Sequence, residues 1–302
     1  MRKILIVLFV LPCLLTSQNY VDIIRIGYGE TFNNTYVDTT GNTNVSSLEA
    51  DITFPVVLNK KHALITGFNF SRNELQLIPN GEHTSLSSTV LKLGLASTFN
   101  EKWSSTLVLL PKIASDYEKI TSDDFYFGGL ALLKLQKTEQ LKYRFGIYAT
   151  SEAYGLFTTP IIGWYYLSKN SKFEMDVSLP IVADISYHFG KTSVGIDYYG
   201  IGRSFRLYGD SQDSEAYVDL SSLEFAAYFE YGLLQKSVLL RAKIGYSSNN
   251  FEVYTTDDTI DLGLSAFSFG DDRTQLNPDL NGGAYFKFEA IYRFHISSEK
   301  EK

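Results

Sequence analysis

Residues able to do chemistry recur in this sequence at even spacings: Lys142 and Arg144, Glu174 and Asp176, Glu224 and Glu230, Arg241 and Lys243, then Lys287, Glu289 and Arg293. In an extended strand an even spacing places such side chains on one face. Successive segments also carry complementary charge, since Glu224 and Glu230 precede Arg241 and Lys243, which precede the mixed set Lys287, Glu289 and Arg293. Two chemistries fit this pattern. One is a cross-strand ladder of ion pairs that satisfies a polar interior; the other is a field across a water-filled lumen that selects solutes by charge. The ladder is the simpler reading, because every membrane barrel needs a polar inside.

Other chemistry finds less support. Glu174, Asp176 and Asp184 with His188 nearby form an acidic cluster, as do Asp257, Asp258, Asp261, Asp271, Asp272 and Asp279 in a later polar stretch. Neither has the alternate oxygen ligands, central Gly and terminal Glu of a calcium loop, and solvated acidic loops are the commoner outcome. The four His, at 62, 83, 188 and 295, lie on different segments without metal-ligand spacing. His188 or His83 could be matched with many Ser, but nothing local selects one as a nucleophile. There is no phosphate-binding glycine loop and no nucleophile elbow. The expectation is a protein that is not an enzyme and has no cofactor.

The segments that carry the charges have a second face. Ala284, Phe286, Phe288, Ala290, Tyr292, Phe294 and Ile296 alternate with Tyr285, Lys287, Glu289, Ile291, Arg293 and His295. The same period of two runs through 222–233, 237–246, 141–149, 173–179 and 48–54. A soluble sandwich also alternates, with its apolar faces turned onto a second sheet, so one strand decides nothing; the charged face is a property of the whole chain.

Composition agrees with strands. Tyr and Phe number 21 each against 2 Trp, 2 Met and 7 Pro, an excess of aromatic β-formers. The formal charge of −7 with no basic cluster excludes a nucleic-acid partner. Arg2 and Lys3, an apolar block from Ile4 to Leu15 and polar residues from Thr16 have the layout of a secretory signal. The block is shorter than the roughly 20 residues a spanning helix needs. Residues 1–18 are therefore expected to be removed and 19–302 to form the mature domain. Cys13, the only cysteine, falls in the leader, so no disulfide holds the mature chain. After the leader no apolar run is long enough for a helix to cross a bilayer, and any crossing must be made by strands.

Connections alternate in length. Short polar turns fall at 59–62, 100–102, 137–140, 169–172, 189–191 and 234–236, and longer ones at 31–44, 115–124, 208–216 and 255–281. Short turns on one rim and long loops on the other is the asymmetry of outer-membrane barrels, the short side being periplasmic. The spacing predicts an all-β, antiparallel transmembrane β-barrel of about 14 strands, each of about 9 to 11 residues. The tight spot is Phe173 to Phe189, where two strands must meet around Leu179, Pro180 and Ile181; a single strand there would lower the count to about 12.

Leu-Pro at 110–111 and again at 179–180, and the turn Phe189, Gly190, Lys191, Thr192 leading into Val194, Ile196 and Tyr198, resemble a Bacteroidota-type family of predicted outer-membrane barrels of unknown function. The resemblance covers nearly the whole mature chain and implies a location in the outer membrane of a Gram-negative bacterium; it brings no activity. Such barrels often end on an aromatic used in assembly, whereas here Phe294 is followed by His295, Ile296 and a charged tail. The expected partners are outer-membrane lipid, the assembly machinery and a small polar solute.

Two functions follow from such a barrel. One is a passive channel or small-solute transporter, closed only by folded-in loops, chiefly 255–281. The other is a structural or surface-interaction barrel whose lumen is packed by side chains such as Tyr148, Tyr228 and Arg241. A soluble secreted β-protein is the third reading.

Overall fold

The computed structural model describes residues 20–208 and 215–295. The expected leader and the tail from Ile296 lie outside the described residues, as does most of the 208–216 connection. The strands run in chain order as β1 (Tyr20–Thr35), β2 (Asn42–Val57), β3 (His62–Gln76), β4 (His83–Thr98), β5 (Trp103–Ser115) and β6 (Phe125–Gln136). They continue as β7 (Leu141–Glu152), β8 (Gly155–Leu167), β9 (Phe173–Leu179), β10 (Val182–Phe189), β11 (Thr192–Leu207), β12 (Ala216–Leu233) and β13 (Val238–Thr255). A small hairpin, β14 (Leu262–Leu264) and β15 (Phe267–Phe269), interrupts the last long loop before β16 (Gly283–His295).

Each strand from β1 to β13 pairs antiparallel with the next, β13 pairs with β16, and β16 pairs back with β1, so fourteen strands close a barrel. Its seam runs through register pairs such as Gly29↔Lys287 and Tyr28↔Phe288. The number agrees with the larger of the two expected counts.

One rim carries short turns with recognisable chemistry. The Asn59 side chain accepts from the N–H groups of Lys61 (2.9 Å) and His62 (3.0 Å), and Asn100 does the same for Lys102 and Trp103. Thr138 and Asn170 play this part in the next two turns. Side-chain oxygens that mimic a backbone turn fix the strand register on both sides. The opposite rim carries connections at 36–41, 77–82, 116–124, 153–154, 180–181, 208–215 and 256–282. Two of these, 77–82 and 153–154, were not expected. The tightest, Ala153–Tyr154, is followed by Gly155 at φ +128°, a backbone conformation that favours glycine. The expected loop 31–44 is mostly strand, because β1 runs on to Thr35 and β2 starts at Asn42.

Burial is inverted relative to a water-soluble fold. On the outer face Ile26, Phe68, Leu109, Phe127, Ile244 and Phe288 are 38–70% exposed. On the inner face Glu230, Arg241, Lys243, Lys287 and Glu289 are 2–7% exposed. A large continuous exposed apolar surface in a folded chain marks a non-aqueous contact.

Two strands depart from the expected length. β9 has 7 residues and β10 has 8, against 13 in β8 and 16 in β11. Both are shorter than the 9 to 11 residues a tilted strand needs to span hydrocarbon. Above their turn at Pro180–Ile181, β11 stays laddered to β12 up to Leu207 and leans with it across the lumen, where Arg206 makes a parallel bridge to Ser115 of β5.

Candidate functional site

The lumen is divided into two layers. Toward the long-loop rim, inward side chains of β11, β12 and β13 (Phe205, Val218, Leu220, Phe251 and Val253) meet those of the opposite wall, among them Leu75, Leu86 and Tyr126. Leu75, Leu86, Phe205 and Val218 have no exposed surface. Burying each such side chain contributes about 1.5–3 kcal/mol, so this layer is a packed apolar plug. The expected agent of closure, the 255–281 loop, contributes Leu280 to the plug, but strand side chains make up most of it.

A buried carboxylate ties β11 to β5 and β7. Glu152, at the end of β7, accepts from the Ser204 N–H (2.7 Å) and Oγ (2.8 Å) of β11 on one oxygen. Its other oxygen accepts from Thr150 Oγ1 (3.1 Å) and from the ammonium of Lys112 on β5. Both members of the Lys112–Glu152 pair are buried. Above it Asp116 accepts from the N–H of Tyr208, and the Tyr208 hydroxyl donates to Asp124. Burial raises the Asp116 carboxyl above its ordinary value, against the lowering effect of its backbone hydrogen bonds.

Beneath the plug, Arg203 donates to Ser71 Oγ (2.6 Å) and Ser222 donates to Asn249 (2.8 Å). These groups border a cavity of about 20 Å³, room for about one water.

Toward the short-turn rim the lumen widens into a chamber of about 470 Å³. Of the expected lumen residues, Arg144, Glu174, Asp176, Glu224, Glu230, Arg241, Lys243, Lys287, Glu289 and Arg293 line it. Lys142 lies on the inward face of β7 two residues before Arg144 and is not part of the lining. The lining also includes Asp22, Arg25, Glu49, Asp51, Asp184 and Asp197. Arg25 and Glu49 could have been found by extending the same alternation to β1 and β2; Asp22 could not, because a register shift between Asp22 and Ile24 breaks the parity.

Most of these charges are paired, and the partners are often not those the order of segments suggests. Arg241 binds Glu230 (2.8 Å) across the β12–β13 ladder, but also Asp184 of β10 (2.9 Å), with its guanidinium 3.9 Å from the Tyr228 ring centre. Lys243 and Lys287 are direct register partners on β13 and β16, an arrangement that repels. Asp197 (2.6 Å) and Glu289 (3.2 Å) neutralise the first, and Glu49 (2.7 Å) the second. Arg144 pairs with Asp176, and Arg293 with Asp22 at 2.6 Å.

Within these pairs the acid is usually the wetter partner. Asp51 is 37% exposed against 18% for Lys92, Asp176 34% against 13% for Arg144, and Asp184 27% against 6% for Arg241. Arg25, at 42%, is the well-exposed base. Ten carboxylates line the chamber against six Lys or Arg. The surface presented to solvent is therefore acidic.

The two acidic clusters resolve differently from a metal site. Glu174 meets His188 (2.8 Å) and the Tyr20 hydroxyl, while Asp176 and Asp184 go to arginines. In the loop, Asp258 accepts from the Thr274 N–H, Asp271 binds Arg273 and Asp279 accepts from Gln275. Among the described residues no group of three or more His, Cys, Asp or Glu is placed to hold a metal ion.

One alignment has the outline of a nucleophile, base and orienting acid: Ser193 Oγ lies 2.8 Å from His188 Nδ1, and Glu174 lies 2.8 Å from Nε2. Ser193 and His188 are simply register partners on adjacent strands, and Ser193 is 3% exposed. Its strand is laddered on both sides, so its surroundings offer no free backbone N–H for an oxyanion.

A family model described as a domain of unknown function, DUF6268, matches residues 15–260. The chain belongs to the DUF6268 family. Comparison with curated proteins returns no match. Among solved structures, this DUF6268 protein is loosely similar to the Pseudomonas putida toluene transporter TodX, at 11% identity over 93% of each chain with a TM-score of 0.35. It is similar to the monoaromatic hydrocarbon channel CymD at 13% identity over 91% of this chain and 89% of that one, with a TM-score of 0.34. OccAB4 of Acinetobacter baumannii follows at 10% identity over 92% and 99%, with a TM-score of 0.26.

Proposed function

We propose that this DUF6268 protein is a non-catalytic barrel of the outer membrane of a Gram-negative, Bacteroidota-type bacterium. In this reading it is an occluded channel for small polar solutes, preferring cations. Its chamber opens to the periplasm at the short-turn rim, and the apolar plug shuts it from the outside. The membrane location rests on the inverted burial, with Phe288 and Ile244 exposed outside and Lys287 and Glu289 buried inside. The cation preference rests on carboxylates being the wetter members of the chamber's pairs. The host group rests on the resemblance alone.

Location is tested by co-fractionation with outer membranes and a heat-dependent shift in gel mobility. Phe288→Asp places a carboxylate on the lipid face, where a mid-bilayer charge costs about 2–4 kcal/mol for Lys or Arg and less for Asp. The folded fraction in vesicles is expected to drop; unchanged assembly overturns the orientation.

Conductance in planar bilayers tests the channel. The wild-type protein is expected to show no steady current, and Glu152→Ala, which releases β11, to show a cation-preferring one. A specific observation favours the second reading, a filled barrel with a structural or surface role: the plug joins opposite walls by direct side-chain contact. A Glu152→Ala barrel that folds and stays silent decides for it.

A further inference from the structure

The barrel wall is incomplete between β8 and β11. Leu179 at the end of β9 pairs with Ile162, so the edge of β8 above that point has no neighbouring transmembrane strand. β10 likewise ends at the pair Val182↔Tyr199, and β11 continues past it to Leu207. The floor of this gap is the turn Pro180–Ile181. Because β9 and β10 are too short to span hydrocarbon, the floor lies within the membrane rather than above it.

Both edges of the gap are finished against strand pairing. Thr158 O accepts from the Ser265 N–H on the β9 side of β8, and strand parity then puts Pro160, which has no N–H, on that same edge. On β11 the edge groups higher up are consumed elsewhere, Ser204 N–H by Glu152 and Arg206 O by the Asp116 N–H. Between them stands Gly202, where an added Cβ would come to 3.7 Å from the Phe157 ring of β8. Phe157 thus faces β11 where two strands would otherwise continue the sheet; it packs with Tyr154, Tyr217, Tyr254 and Ile260, and above it the Ala153 N–H donates to Ser204 Oγ of β11.

The upper part of the gap is stopped by the β14–β15 hairpin. It pairs with β8 through Gly263↔Phe157 and Leu264↔Thr158 only, and Thr159 and Ser265 share a hydroxyl hydrogen bond of 2.6 Å. Phe267 and Phe269 on the hairpin are 68% and 51% exposed, and Leu156, Ile162 and Leu179 around them are also exposed. The rim of the gap is apolar on the side that meets lipid.

The charged chamber reaches this place. Its lining includes Val182 and Tyr198, whose hydroxyl donates to the carbonyl of Pro180 on the floor of the gap. Tyr198 stacks on the lipid-facing Phe225, so the chamber touches a side chain that belongs to the outer face of the wall.

From these facts we propose that the gap is a lateral portal between the outer leaflet and the chamber, with the β14–β15 hairpin as its stopper. The solute it passes is a cationic amphiphile, an amine or quaternary ammonium with an apolar tail. The head meets the wetted carboxylates of the chamber while the tail lies among Phe157, Ile162 and the hairpin phenylalanines. The inference rests on the reading of a barrel with a solvated acidic chamber.

The test reads the reactivity of Val182→Cys in vesicles, in a Cys13→Ser background. A trimethylammonium maleimide added to the short-turn side reports the chamber, and an N-decylmaleimide dissolved in the lipid reports the portal. Thr159→Cys with Ser265→Cys, oxidised, pins the hairpin to β8; replacing 262–269 by a Gly-Ser linker removes it. The lipid-borne reagent is expected to react several-fold more slowly in the pinned protein and faster without the hairpin, the aqueous reagent being unaffected. Equal decyl reactivity in all three overturns the portal. Failure of the aqueous reagent to reach Val182→Cys in any of them instead removes the chamber reading. Decyltrimethylammonium is expected to protect Val182→Cys from the lipid-borne reagent. Protection by decyl sulfate or by tetramethylammonium to the same degree overturns the assignment of a cationic amphiphile.

Discussion

The two halves of the lumen are built from the same strands, yet one is dry and the other wet. In the outer half opposite walls touch, through Phe205, Val218 and Leu220 on one side and Leu75 and Leu86 on the other. In the inner half the walls stand apart around about 470 Å³ and face one another with ion pairs. What separates them is the path of β11, which is flanked by β10 up to Tyr199 and then, still laddered to β12, leans across to β5. Barrel size alone does not decide whether a lumen conducts; a section of wall folded inward converts a pore into a core.

The sharpest way to break this comparison is at Glu152. In the outer half its pair with Lys112 is almost wholly removed from water. Glu152→Ala strands a buried ammonium and frees the Ser204 N–H, and is expected to cost about 3–5 kcal/mol. The double variant Lys112→Met, Glu152→Leu is expected to recover most of that loss, since an apolar pair of similar volume is often neutral or stabilising. Urea titration of folding into vesicles measures both. A loss under about 1 kcal/mol for Glu152→Ala, the range of exposed pairs, would show that the outer half is as wet as the inner one.

Leu86→Ala probes the plug itself. The side chain is fully buried between the walls, and truncation is expected to cost about 2–5 kcal/mol according to how far the site collapses. The counterpart in the inner half is Asp51→Asn, whose carboxylate is 37% exposed beside Lys92. Its expected cost is under about 1 kcal/mol, with a reduced preference for cations in any conducting variant. Equal losses at the two sites would erase the distinction between core and chamber.

The inner half was far more legible in the sequence than the outer. Strict alternation around Lys287 and Glu289 marks the lipid and lumen faces because charge and grease are each confined to one parity. Turn chemistry at Asn59, Asn100, Thr138 and Asn170 marks the short rim locally. Toward the long-loop rim the inward positions of β12 and β13 become Val218, Leu220, Phe251 and Val253 while the opposite parity carries Asp219, Ser221, Asn250 and Glu252, so the parity signal reverses. The bond between Glu152 and Ser204 joins residues 52 positions apart, and no local pattern announces it. The tight segment around Pro180 was visible as a place where two strands had too little room. That this shortage opens the wall depends on the neighbours β8 and β11, whose pairing only the fold supplies. Asp184 stood out only as a member of an acidic cluster and Asp197 stayed hidden, because β10 and β11 carry one acid each at these levels, without a second charge to set a period.

The smallest effect is expected at the lip of the outer half, where Arg273 ties the last loop to the wall. Its guanidinium reaches Tyr217 and Asp219 at 3.1 Å each and lies 4.0 Å from the centre of the Tyr254 ring, while Nε binds Asp271 at 2.9 Å. The hydrogen bond from Arg273 holds the Asp271 carboxyl below its ordinary value, despite some desolvation. A carboxyl depressed in the folded state contributes stability that is present above its unfolded value and lost as pH falls through the folded one. Acidification is therefore expected to release Asp271 and loosen 270–275. Hydrogen exchange at the Arg273 amide, which donates to Asp271, should rise in acid beyond the intrinsic rate, and Asp271→Asn should abolish that rise. If the wild type and Asp271→Asn follow the same profile, the tie is not electrostatic.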